Sequence, residues 1–464
     1  MIITRRHRNE RIAAAIFVAV ALVAVVVFIQ WNKSEEEALR SDSRYIPKRE
    51  TITPQILLLR DYVRIDTSNA EGVAKGARWL AAQLERIGVH AELIESTPGR
   101  WNVYARIRGK QRGGGLLLVN HIDVVGVKPA EWKQPPFEGK IHLNQLWGRG
   151  ALDMKGIALC ELFAMAAVQR RGTPGHDIAF LATAEEEQGS ENGMKWLLAH
   201  RPELFEGLEY AISEGGVTEV IGERMTYFGI EVGSKQRMHL TLLAPQKQML
   251  LDARMALEPY MTSHERARVL PEVRQFFRDV AATRIAFKES LSDIDRAIAE
   301  GKAWELPASY RDLLQNTMNV EMPQRGSDQW YMGLQMLNLP DELPKERASW
   351  LQQFVAPYGV SVRVDSEEGP VPSSRIDTPL MRTLAGEARA FYQVNAGSEI
   401  LYASTSDCRF LRAHGMQCYG ISPYLVDFSQ SLTIHHADER IRLDWFMNGI
   451  DYFERSILSW SQRP

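Results

Sequence analysis

His121-Ile-Asp123, Trp147-Gly-Arg-Gly-Ala-Leu-Asp153-Met-Lys-Gly156 and Glu185-Glu186-Glu187 decide how this chain is read. Imidazole and carboxylate groups arrive there in the order that a two-metal hydrolytic site needs. His121 follows the apolar run Gly115-Leu-Leu-Leu-Val119, so it ends a predicted strand, where open α/β sheets collect ligand residues. Asp123 is placed to accept a hydrogen bond from the second imidazole nitrogen, fixing the tautomer and raising the basicity of the first. Alone, such a pair is more often structural than ligating. Asp153 sits where the predicted helix Lys155–Arg171 begins, and its carboxylate can bridge two cations or merely cap the helix. Glu185, Glu186 and Glu187 follow the apolar run Ile178–Thr183, and three adjacent carboxylates repel one another unless cations or solvent relieve them. Glu214-Gly-Gly216 ends another apolar run, and His435 in Ile434-His-His-Ala-Asp-Glu439 adds a late imidazole. Mixed nitrogen and oxygen ligation suits zinc, or less selectively cobalt or manganese. Two such ions about 3.5–4 Å apart share a carboxylate and a water, and a glutamate that does not ligate strongly can take the water's proton.

The bulk numbers bound the rest. A chain of 464 residues is too long for one core, so two or three domains are expected. A formal net charge of -3 gives no support to nucleic-acid binding. Cys160, Cys408 and Cys418 lack metal-ligand spacing. Buried free thiols are expected, with a Cys408–Cys418 bridge as the alternative in an oxidising compartment. Ile12–Ile29 is uncharged and long enough to cross a bilayer as a helix, with Arg5, Arg6, Arg8 and Arg11 before it. The positive-inside rule then predicts a cytoplasmic segment over 1–11, a transmembrane signal anchor over 12–31 and a linker over 32–53. The remainder would lie on the exported side of a single-pass membrane protein, whether periplasmic, extracellular or lumenal. A cleaved signal peptide is the rival reading.

Hydrophobic patterning predicts helices over Pro54–Ile65 and Ala74–Ile87, then strands at Ala91–Ile94, Asn102–Ile107 and Leu116–Val119. The helix Lys155–Arg171 and strands Ile178–Thr183 and Tyr210–Ser213 continue an α/β pattern. After Glu231 the character changes: a strand at Met238–Leu243, a mostly helical stretch over Gln248–Ile298, strands near Thr317–Met322 and Leu334–Leu337, a helix at Pro344–Val355 and a strand at Val360–Val364. Asp365–Ser374 reads as a linker. A helix over Pro379–Tyr392, a strand at Gln417–Ile421 and a helix over Leu443–Trp460 resume the first pattern. The expected organisation is a catalytic domain over 54–232 and 371–464, interrupted by a lid over 233–370.

HIDVV, WKQPPFEGKI, WGRGALDMKG, ATAEEEQGS, SEGG, TSDCRFL and HHADER, in this order, resemble the aminoacylase/carboxypeptidase superfamily of dinuclear zinc exopeptidases. That superfamily includes succinyl-diaminopimelate desuccinylase, glutamate carboxypeptidase and N-acyl-amino-acid hydrolases. The similarity covers about Pro54–Val232 and Asp377–Pro464, and is nearest to the branch of Gly-X carboxypeptidases and N-fatty-acyl-amino-acid hydrolases. It implies an α/β fold in which a mixed sheet lies between helices and an inserted α+β domain serves as lid, often a dimerisation surface. It further implies two zinc ions, one held by His121, Asp153 and Glu214 and the other by Asp153, Glu187 and His435. Glu186 matches the general base and Asp123 the residue that orients His121. The implied activity is cleavage of an amide in a dipeptide, a peptide C-terminus or an N-acyl amino acid.

The lid departs from this pattern. Family members carry a Gly-His-x-Ser motif there, whereas this chain reads Leu242-Leu-Ala-Pro-Gln-Lys-Gln248, and no arginine precedes Leu339-Pro340. His239 and His264 are the candidate substitutes. Loss of one oxyanion donor costs about 10²–10³ in rate, so the alternative reading is a non-catalytic scaffold that keeps the metal site for ligand capture.

Overall fold

The computed structural model describes residues 51–463 except 217, 222–223, 263–266, 284–286, 368, 370 and 402–405. Two helices, Pro54–Val63 and Ala70–Arg86, come first, capped by Thr53 and Asn69, whose side chains accept from the amides of Ile56 and Gly72. Strands β1 (Ala91–Thr97), β2 (Arg100–Ile107) and β3 (Gly115–His121) follow, then the hairpin β4 (Lys140–His142) and β5 (Gln145–Trp147). The helix Lys155–Arg171 leads to β6 (Ile178–Thr183), β7 (Leu208–Ser213), β8 (Thr218–Ile221) and β9 (Arg224–Ser234). Next come β10 (Gln236–Ala244), β11 (Thr317–Val320), β12 (Gln324–Arg325), β13 (Trp330–Asn338) and β14 (Ser361–Glu367). β15 (Asn395–Leu401), β16 (Gln417–Gly420) and β17 (Arg440–Arg442) complete the set.

The large sheet has nine strands in the order β1-β2-β6-β3-β7-β16-β9-β15, with β8 beside β9. It is mixed: β3 runs parallel to β6 and β7, while β2 meets β6 antiparallel. β3 and β6 are buried at every residue because both faces are covered. Alternation divides their side chains. Leu116, Leu118, Ile178, Phe180 and Ala182 join the core under the helices Lys155–Arg171, Pro379–Tyr392 and Leu443–Ser461. Leu117, Val119, Ala179 and Leu181 join a second cluster with Met194, Leu197, Cys408 and Leu411 on the other face.

β11-β13-β10-β14, with β12 beside β13, form a separate five-stranded sheet. Met238, Leu240 and Leu242 of β10 and Met332, Leu334 and Met336 of β13 alternate toward Leu250, Leu257, Leu351 and Val355 of two helices, Lys247–Thr262 and Pro344–Val355. The helical stretch expected over Gln248–Ile298 is broken into Lys247–Thr262, Pro271–Ala281, Lys288–Ser292 and Ile294–Ala299. Pro271 starts one helix, and Phe287 at φ +59 precedes another. Val273, Phe276 and Phe277 of Pro271–Ala281 pack into the large-sheet core beside Tyr227. The span 233–370 therefore holds elements of both cores.

Two expectations are corrected. The localisation read from the N-terminus, a single-pass membrane protein with an exported catalytic part, is not upheld: among the described residues no helix is long and apolar enough to cross a membrane. The 12–31 segment from which that expectation came lies outside the described residues. Cys408 and Cys418, expected as free thiols, form a disulfide with Cα atoms 5.3 Å apart, because the helix Cys408–Ala413 turns directly back into β16. Cys160 is free and buried.

Candidate metal centre

The parallel strands β3, β6 and β7 deliver the site from their C-terminal ends. His121 is the last residue of β3, Glu186 and Glu187 form a 3-10 turn after β6, and Glu214 follows β7. Asp153 precedes the helix Lys155–Arg171 across a cis peptide to Met154. His435 comes from a loop that ends in β17, and β17 pairs with β5, which brings the HHADER segment beside Trp147.

His121 Nε2 lies 3.0 Å from Asp153 Oδ1 and 3.7 Å from Glu214 Oε1. His435 Nε2 lies 2.8 Å from Asp153 Oδ2 and 3.0 Å from Glu187 Oε2. Two triads result, His121-Asp153-Glu214 and Asp153-Glu187-His435, and within each the donor atoms lie within 4.8 Å of one another. Asp153 gives one oxygen to each triad.

The donor chemistry fits a pair of cations. Each triad offers one imidazole nitrogen and carboxylate oxygens, the set that zinc accepts. Glu187 Oε1 is buried with no hydrogen-bond partner among the described residues. The carboxylates outnumber the imidazoles, and their protonation reflects it: burial and the neighbouring Asp153 push Glu214 up to about 8. Burial opposes charge on His121, but Glu214 and Asp153 outweigh it and hold the ring well above the usual histidine range. Hydrogen bonds to Asp153 and Glu187 push His435 up to about 10. Glu186 is half-buried, and burial together with the charges of Glu214 and Asp407 pushes its carboxyl well up. Negative charge is thus concentrated where cations are called for.

Asp123 differs from its expected geometry. Its backbone carbonyl, not its carboxylate, is the close partner of His121 Nδ1 at 2.8 Å; the nearest carboxylate oxygen stands 3.8 Å away. With Nδ1–H donating to that carbonyl, Nε2 is free for Asp153 and Glu214. The Asp123 carboxylate accepts instead from the amides of Glu186 at 3.1 Å and Glu187 at 3.2 Å. Glu185 takes no part in either triad. It sits at φ +60 and accepts from Arg100 and from Asn192 Nδ2 at 2.5 Å, so the first of the three glutamates is a fastening. His239 stands exposed on β10, outside both triads, and His264 lies outside the described residues.

Sequence reasoning assigned no role to two further carboxylates, although both lie within quoted motifs. Glu439, fully buried, accepts from Arg149 Nη1 at 2.6 Å and from the amides of Gly150, Leu152 and Asp153 at 3.0, 2.8 and 3.2 Å. It therefore fastens the loop that carries the shared ligand. Asp407, 2% exposed, accepts from Thr183 and Ser190 on either side of the Glu186–Glu187 turn.

The family model described as peptidase family M20/M25/M40 matches residues 117–459. The chain belongs to this family of metal-dependent peptidases and amidohydrolases. A succinyl-diaminopimelate desuccinylase from Methylobacterium sp. (strain 4-46) is 37% identical over 150 residues, which is 32% of this chain and 36% of that protein. The chain thus spans about a third of the length of that curated relative. An M20 family metallo-carboxypeptidase, Sso-CP2 from Sulfolobus solfataricus, shares the fold with a TM-score of 0.69 at 20% identity, over 88% of this chain and 100% of its own. Human carnosine dipeptidase 1 shares it with a TM-score of 0.66 at 13% identity, over 88% of this chain and 96% of its own. Family and geometry agree on a dinuclear metal centre.

Proposed function

We propose that this protein is a dinuclear zinc hydrolase that cleaves an amide bond in a small peptide or an N-acyl amino acid. The observation that carries this reading is the pair of triads joined through Asp153, with Glu186 on the same turn as Glu187. His121, Asp153 and Glu214 would hold one ion, and Asp153, Glu187 and His435 the other. When bound, the ions polarise the scissile carbonyl and bring the pKa of water toward neutrality.

The chain's own groups supply the rest. Glu186 takes the proton from water and hands it to the departing amine nitrogen, a task that suits a carboxyl pushed up from its ordinary value by burial and by the charges of Glu214 and Asp407. The Asp123 carbonyl keeps the proton of His121 on Nδ1, and its carboxylate holds the amides of Glu186 and Glu187 in place. The five-stranded sheet would act as the lid over 233–370, and its divergent Leu242–Gln248 segment would set substrate choice. β14 is the edge of that sheet and is exposed along most of its length, which supports pairing with a second copy through the lid. Sedimentation of the protein with and without Val364→Lys checks that pairing.

The deciding experiment measures bound zinc and turnover on a panel of dipeptides, peptides with free C-termini and N-acyl amino acids. Two ions per chain and hydrolysis of at least one amide, abolished by chelation and restored by zinc, are expected. Full metal occupancy with no turnover on any of them would leave the ligand-capture reading instead.

A further inference from the structure

The turn that carries Glu186 is held in an unfavourable backbone conformation. Glu185 before it and Ser190 after it lie at φ +60 and +64, a region that side chains other than glycine and asparagine seldom occupy. Such a turn persists only if its surroundings pin it. The Asp123 carboxylate pins the middle, through the amides of Glu186 and Glu187. Arg100 and Asn192 pin the Glu185 side chain.

Asp407 pins both ends. Its Oδ2 accepts from Thr183 Oγ1 at 2.9 Å, at the last residue of β6, and its Oδ1 accepts from Ser190 Oγ at 2.5 Å, just past the turn. Ser190 is itself fixed, its amide donating to Glu185 O at 2.6 Å. Thr183, Ser190 and Asp407 are all buried, so no water competes for these bonds. Asp407 has a stiff base as well. Its carbonyl accepts the amide of Phe410 at 3.1 Å in the helix Cys408–Ala413, and its neighbour Cys408 is bonded to Cys418 within β16.

We infer that Asp407 is a positioning residue for Glu186: by closing the segment Ala184–Gly189 at Thr183 and Ser190, it fixes where the base carboxylate stands. This rests on the reading of Glu186 as general base. Misplacement of a reacting group by about 1 Å costs on the order of 10²-fold in rate, so the expected loss is in kcat and not in metal content.

The test is a double-mutant cycle on the zinc-loaded full chain, with metal content measured for each variant. Asp407→Asn should lower kcat by about 10²-fold with KM and zinc little changed. In a Glu186→Gln background the same substitution should cost almost nothing more, because the residue it positions is already gone. Ser190→Ala, which removes one tie and leaves the buried carboxylate in place, should lower kcat by a smaller factor, and it carries the same cycle if Asp407→Asn fails to fold. An unchanged kcat in Asp407→Asn, an equal loss in both backgrounds, or a loss that follows zinc would each overturn the inference. If Glu186→Gln itself keeps the wild-type rate, the general-base reading falls and takes this one with it. If Glu186→Gln is impaired and Asp407→Asn is not, only the role of Asp407 is lost.

Discussion

The large sheet and the five-stranded sheet are both β layers packed against helices through apolar cores, but the site-bearing rim of the large sheet adds a second kind of fastening. The core of the five-stranded sheet is apolar: Met238, Leu240, Leu242, Met332, Leu334 and Met336 meet Leu250, Leu257, Leu351 and Val355. The rim of the large sheet is fastened by buried carboxylates bonded across long stretches of chain. Glu439 reaches Arg149 and three backbone amides, Asp407 reaches Thr183 and Ser190, and Glu231 meets Arg412 at 2.6 Å with both side chains 1% exposed. Apolar packing tolerates substitution while volume and pattern are kept. A network of buried charges does not, since removing one partner strands the other. The five-stranded sheet is therefore free to diverge in sequence while the candidate metal centre is not.

Substitutions should separate the two regions. The largest effect is expected from Asp153→Ala, which removes the carboxylate common to both triads: bound zinc should fall below one ion per chain and amide hydrolysis to background, while His435→Ala should keep the His121 triad's ion. Glu186→Ala should lower kcat by about 10²–10⁴-fold with zinc retained, measured by metal analysis alongside steady-state rates; a wild-type rate would remove Glu186 as base. Glu439→Ala strands the Arg149 charge, and denaturant unfolding should register a loss of about 3–5 kcal/mol. In the five-stranded sheet, Leu240→Ala should cost about 2–5 kcal/mol in the same assay but leave zinc content unchanged. Loss of zinc there would mean that the two regions are not separable.

The smallest expected effect is a change of slope. Burial pushes the Glu161 carboxyl well above its ordinary 4.5, against the pull of a 2.7 Å hydrogen bond from Asn120. The folded state thus holds this proton after the unfolded chain has lost it. The contribution to stability is complete below about pH 4.5 and is lost as pH rises toward the folded-state value. Glu161→Gln, with the same shape and no charge, should match the wild type near pH 4 and exceed it progressively at neutral pH in urea unfolding. Parallel curves would place the Glu161 proton elsewhere.

Local pattern made much of the fold legible. Lys155–Arg171, Ile178–Thr183, Pro344–Val355 and Pro379–Tyr392 have the same bounds in sequence and structure, because each is marked by a clear apolar run or by a proline or glycine at its end. The long strand β9, one in from the β15 edge, is not legible in the sequence, since Thr226, Gly229, Glu231 and Gly233 interrupt its apolar character. What makes Glu231 acceptable there is Arg412, which is distant in sequence. β15, Asn-Ala-Gly-Ser-Glu-Ile-Leu, has the composition of a turn and becomes a strand only through its parallel pairing with β9. The candidate ligands were legible as short motifs at strand ends. Their fastenings were not, because hydrogen bonds from Asp407, Glu439 and the Asp123 carboxylate depend on which chain segments meet. The Cys408–Cys418 bridge stands in the sequence only as the alternative to free thiols for the same reason: the tight return from Cys408–Ala413 into β16 is a fact of tertiary path.

Asp123 serves His121 with its carbonyl and the Glu186–Glu187 amides with its carboxylate. The offset between the imidazole of one triad and the turn that supplies the other is therefore spanned by the covalent bonds of a single residue. Loops elsewhere around the site can lengthen or shorten without disturbing that offset. Between His121 and Asp123 there is no slack, and one inserted residue would put both halves of the centre out of register at once.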